Sequence, residues 1–71
     1  MITTPKISKQ FRQMVIYPNA KGFTAWITVT DSHRHSWELS GIGNTPMEAT
    51  AVVWNIFQGN EIEWNKFGRS I

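Results

Sequence analysis

Residues 45–58 constrain this chain more than any other stretch, because the start signal, the periodicity and the stop signal of an α-helix all agree there. Thr45 stands at the N-cap, Pro46 at the first helical position and Glu48 three residues after the cap. The threonine oxygen takes one orphan N–H, the glutamate reaches back for another, and proline's missing donor had no partner in the first turn anyway. Ala49, Val52, Val53, Ile56 and Phe57 then repeat at i, i+3, i+4, i+7 and i+8, which makes one apolar face. Gly59 follows the end, where a left-handed residue is wanted. Such a face has to be covered, and it is expected to pack on a small antiparallel sheet built from the chain before it.

That preceding chain reads as strands. Phe11 to Tyr17 is rich in strand formers, and Pro18 stops it. Pro18-Asn19-Ala20-Lys21-Gly22 has the chemistry of a four- or five-residue hairpin loop. In residues 23–30, Phe23, Ala25, Ile27 and Val29 alternate with Thr24, Trp26, Thr28 and Thr30. Period two puts the aliphatic set on the core face and leaves Trp26 outside among threonines. Asp31-Ser32-His33-Arg34 is turn-like, and residues 35–42 make a third strand with Trp37 and Leu39 inward and Ser36, Glu38 and Ser40 outward. In the first strand, Val15 and Tyr17 compete with Met14 and Ile16 for the core. Ile62 and Trp64 alternate with acids in residues 60–67, the spacing to Phe67 breaks that pattern, and these apolar groups are expected to cover an open edge of the core.

The expected architecture is α+β: a three-stranded antiparallel sheet packed on one C-terminal α-helix, β-β-β-α, with a short terminal extension. With 71 residues there is one domain: an arm over 1–9, a β-meander over 10–42, the helix over 45–58 and an extension over 60–71. A domain of this size has only about 4–10 kcal/mol of stability. Four Trp and four Phe supply bulk that smaller residues would not. The chain has no cysteine, which excludes disulfide and thiolate chemistry and agrees with a reducing compartment. Its first residues lack a signal-peptide apolar stretch, and no apolar run approaches the roughly 20 residues of a membrane span. The expectation is a cytoplasmic protein that does not engage a membrane.

Charge is unevenly spread. Lys6, Lys9, Arg12 and Lys21 all precede the first acid, Asp31, so the first third is a basic segment of the kind that meets anionic partners or simply stays solvated. His33 and His35 with Asp31 would supply at most three metal ligands from one hairpin tip, and these are the only histidines, so no metal or other cofactor is expected. Ser32 and Ser36 flank them on the same short hairpin rather than across a cleft, which does not assemble a nucleophile and base. Glu61 and Glu63 read as a solvated edge rather than a pair of buried carboxylates. Gly41-Ile42-Gly43 lacks the third glycine and the βαβ unit of a dinucleotide site, and reads as a tight exit from strand three. No enzyme is expected. The residues left over are Trp26, exposed on the outer sheet face, and Trp54, which falls off the apolar stripe beside Phe57, Thr50 and Met47.

Trp37-Glu38-Leu39-Ser40-Gly41 followed by Thr45-Pro46-Met47-Glu48-Ala49-Thr50-Ala51 resembles the third strand and helix start of AP2-type DNA-binding domains. Gly41-Ile42-Gly43-Asn44-Thr45 is similar to the end of a double-stranded-RNA-binding domain. The first resemblance implies a three-stranded sheet, backed by a helix, that reads a groove with outward arginines. Here that face carries Thr24, Thr28, Thr30, Ser36 and Ser40 around Glu38, and Glu48 stands where the RNA-binding family needs lysines, so only Trp26 and Arg34 occupy positions a sheet reader uses. The functional expectation is a small non-enzymatic binding module acting through Trp26, Thr24, Thr28, Arg34 and Trp54 on a protein partner or a second copy of itself. The alternative is a DNA- or RNA-binding domain that uses the basic N-terminal segment and the outer sheet face, with Lys6, Lys9, Arg12 and Lys21 as phosphate contacts and Trp26 as a stacking or base-edge contact.

Overall fold

A computed structural model describes residues 9–71, in the order β1 (Gln10–Asn19), β2 (Gly22–Thr30), β3 (Ser36–Gly43), α1 (Pro46–Gln58), a 3₁₀ helix (Glu61–Lys66) and β4 (Gly68–Ser70). The sheet is antiparallel throughout, in the order β1-β2-β3-β4. It therefore has four strands where three were expected. The fourth, Gly-Arg-Ser, has neither strand propensity nor alternation. Tertiary contact places it, with Leu39 opposite Gly68, Glu38 opposite Arg69 and Trp37 opposite Ser70. A Cβ at Gly68 would run into the backbone of Glu38, so only glycine lets this strand approach so closely.

The first hairpin is also longer than its sequence suggests. β1 continues through Pro18 to Asn19, which pairs with Gly22, so the turn is the two residues Ala20-Lys21 and not a loop of four or five. Pro18 is tolerated because β1 is an edge strand, where an N–H missing from the free side costs no ladder bond. Register settles which way β1 faces. Met14 lies opposite Ile27 and Ile16 opposite Ala25, on the side that meets the helix, while Val15 opposite Trp26 and Tyr17 opposite Thr24 lie on the outer side. Register shifts once, between Phe11 and Gln13, leaving Arg12 as the extra residue of a bulge.

The helix forms as its signals dictate. Thr45 Oγ1 accepts the Glu48 N–H at 3.1 Å, and Glu48 Oε2 accepts from the backbone of Asn44, one residue before the cap. The buried stripe is narrower than predicted: Ala49, Val53 and Phe57 are buried, Ile56 partly so, and Val52 remains 41% exposed. Gly59 is not left-handed. Its φ is −79°, and its N–H bonds the carbonyls of Asn55 and Ile56. α1 lies chiefly over β3 and then β2. Gly41, read above as part of the exit from strand three, lies inside β3 beneath it: a Cβ there would stand 2.5 Å from the Val53 nitrogen.

The core consists of Ala25, Ile27, Val29, Leu39, Ala49, Val53, Phe57 and Trp64. Trp64 is fully buried, and its indole N–H donates to the Ile56 carbonyl at 3.1 Å. The tail does cover the core, as expected, but through this one ring: Ile62 is 82% exposed and Phe67 is 42% exposed. A 3₁₀ turn projects successive side chains in three directions, so only one of them can be buried. No helix among the described residues is long and apolar enough to cross a membrane. The predicted arm over residues 1–9 lies, apart from Lys9, outside the described residues.

Candidate interaction surfaces

On the outer sheet face, Trp26 stands between Val15 of β1 and Ser40 of β3, as its period-two position requires. It is partly covered. The Arg69 guanidinium sits 5.9 Å from the Trp26 ring centroid, and its Nε donates to Glu38 Oε1 at 2.8 Å. The unpredicted fourth strand thus carries a cation onto the half-buried ring and neutralises the carboxylate that stood in the middle of the face. Thr28 lies opposite Glu38 in the sheet register, and the Thr24 hydroxyl accepts a hydrogen bond from the Asn19 amide at 2.8 Å.

Trp54 faces the other way. Its ring meets Phe11 edge-on at 5.7 Å between centroids and tilts against Phe57 at 5.2 Å. One turn earlier, the Thr50 hydroxyl reaches the Met14 sulfur at 3.8 Å. The flank of α1 that carries Trp54, Thr50 and Met47 therefore runs antiparallel to β1, beside Phe11, Met14 and Ile16. Since α1 covers β3 and β2, that side of β1 stays open: Phe11 is 43% exposed, Ile16 38%, Trp54 38% and Met47 81%. These side chains make one apolar shoulder. Phe11, Met14 and Ile16 were not among the sequence candidates, because their facing could not be read before the register was known.

The hairpin tip is a structural knot. Asp31 is buried; its Oδ1 accepts the amides of His33 and His35 and its Oδ2 the Trp37 indole N–H at 3.0 Å. Burial pushes its carboxyl up, but those three hydrogen bonds and the charge of His33 outweigh it, and the net pKa lies below the usual carboxylate value. His35 contacts the Ser70 hydroxyl and Trp37. Glu61, expected to be a solvated acid, accepts from both the backbone N–H and the hydroxyl of Ser32, pinning the tip to the 3₁₀ helix. Among the described residues, no three His, Asp or Glu side chains gather as a metal set.

Among the described residues, the basic candidates do not form one surface. Lys9 donates to the Gly59 carbonyl at 2.9 Å and stands 5.5 Å over the Phe57 ring, so it closes the C-terminal end of α1. Arg12 lies at the start of β1 and Lys21 in the hairpin turn at its far end, roughly 30 Å of strand away. Lys6 lies outside the described residues. Arg34 is brought to Arg12 rather than to Trp26, because both border the groove that also contains Gln10 and Thr30. Compared with protein-family models, with curated proteins and with solved structures, the chain matches none.

Proposed function

We propose that this chain is a small non-enzymatic binding module, and that the surface it offers is the apolar shoulder of Trp54, Phe11, Met14, Ile16 and Met47. The carrying observation is that Phe11, Ile16, Trp54 and Met47 are all exposed along β1 and the α1 flank beside it, with Phe11 against Trp54 and the half-buried Met14 against Thr50. Patches of this kind are where proteins meet other proteins. The partner is a protein surface, and a second copy is the first to try, since one apolar face covers its own equivalent about a two-fold axis. Nucleic-acid binding by the outer sheet face has less behind it. Glu38 occupies its middle, Arg69 is committed to Glu38 and Trp26, and Lys9 to the end of α1.

The test is sedimentation of the chain over a wide concentration range, with Met47→Lys and Trp54→Ala beside it. Met47 is 81% exposed, so its replacement leaves folding alone and adds a charge to the patch. Concentration-dependent association weakened by both changes is the expected result. A monomer at every concentration would remove self-association, and a protein partner whose affinity ignored both changes would remove the shoulder.

A further inference from the structure

The described backbone departs from regularity at two conspicuous points: the β1 bulge at Arg12 and the left-handed Arg34, the only non-glycine residue there with positive φ, at +65°. Both points carry an arginine, and both arginines border one open groove of about 320 Å³ together with Gln10 and Thr30. We infer that this groove is a binding site for a phosphate monoester, with the two guanidiniums as its charge and the Gln10 amide as a neutral donor.

The bulge sets the first arginine. An extra residue in β1 takes Arg12 out of the strand's alternation, and its Nε donates to Thr30 Oγ1 at 3.1 Å. That bond orients the guanidinium and leaves both terminal amino groups to meet a ligand. Arg34 follows a tight turn in which its N–H bonds the Asp31 carbonyl at 3.1 Å. Bulky residues rarely hold left-handed backbone, and where they do, the strain commonly coincides with a ligand contact.

Charge accounting points the same way. Asp31 is the acid nearest to Arg34 in sequence, and its carboxylate is turned into the knot by Trp37, His33 and His35. Glu38 pairs with Arg69 and Glu63 with Lys66, while Glu48 and Glu61 accept from Asn44 and Ser32. Those are all five acids of the chain, none borders the groove, and neither Arg12 nor Arg34 makes an ion pair among the described residues. Two unpaired guanidiniums balance the double charge of a phosphate monoester, and their forked donors match its oxygens. A diester or a carboxylate would leave one cation unanswered. The site is independent of the apolar shoulder.

The test is chemical-shift titration of the labelled chain at low salt with three probes: inorganic phosphate, a nucleoside monophosphate, and an oligonucleotide without terminal phosphate. Phosphate and the nucleotide should move the resonances of Gln10, Arg12, Thr30 and Arg34. Tighter binding of the nucleotide assigns the site to nucleotides, and equal binding assigns it to phosphate itself. Arg12→Gln and Arg34→Gly should each weaken binding at least about tenfold. Arg34→Gly also relieves the left-handed strain, so its melting temperature should hold or rise, which separates lost binding from lost folding. Binding of the oligonucleotide alone, no shift with phosphate, or titrations unchanged by both substitutions would overturn the site.

Discussion

At the scale of single residues, Asp31 is the most exacting position, since one buried carboxylate terminates three donors at the hairpin tip. Its lowered pKa makes it a source of pH dependence with a definite sign. Between the native pKa and the unfolded value of about 3.9, the unfolded chain binds more protons, so stability rises with pH through that window. The contribution is full above the unfolded pKa and fades as pH falls through the native one. Denaturant titrations at stepped pH should therefore show a loss beginning near pH 4. In Asp31→Asn that loss should be smaller, and stability at neutral pH should drop by about 1–3 kcal/mol, because an amide that keeps an acceptor for the backbone turns a donor toward the Trp37 indole. A variant as acid-sensitive as the parent would mean that other carboxylates govern the acid limb.

At the scale of elements, α1 was legible from Thr45 to its last turn because its cap and stripe are local chemistry, written within a few residues. Gly59 shows where such reading stops. A terminal glycine suggests a left-handed cap, yet with φ at −79° and both bonds of its N–H satisfied, it is an ordinary residue in ordinary backbone. Gly59→Ala should thus be neutral or stabilising by about 0.4–1 kcal/mol in thermal melts, through the restricted unfolded chain. A loss of 1 kcal/mol or more would restore the left-handed reading. β2 was equally plain, since alternation alone fixes which side is buried. β4 was not, because Gly68, Arg69 and Ser70 state no preference of their own and are held by Glu38 and Leu39, some thirty residues earlier. The site shares this pattern. Trp26 and Trp54 could be named from periodicity, whereas the Arg69 cover, the Phe11 contact and the meeting of Arg12 with Arg34 depend on register, a bulge and a turn that single residues do not announce.

At the scale of the whole molecule, one band of rings runs from β1 across the helix and the 3₁₀ segment to the start of β3. It runs from Phe11 through Trp54, Phe57, Trp64 and Trp37 to His35, with neighbouring centroids between 5.2 and 6.5 Å apart. Each such pair adds about 0.5–1.5 kcal/mol beyond the area it buries, a large share of what so small a domain can hold. Trp64 is the centre of the band: it stacks on Phe57, meets Trp37 edge-on and ties the last segment to α1 through the Ile56 carbonyl. The C-terminal segment is thereby part of the core rather than an appendage to it. Trp64→Ala should cost about 3–5 kcal/mol, enough to leave the chain mostly unfolded at moderate temperature, with strand and helix signals lost in one transition. Trp54→Ala, at the exposed end of the band, should cost less and leave a folded chain. If Trp64→Ala instead freed residues 60–71 while amide protection in β2 and α1 persisted, the segment would be a detachable cover, and the sheet with its helix would be the true folding unit.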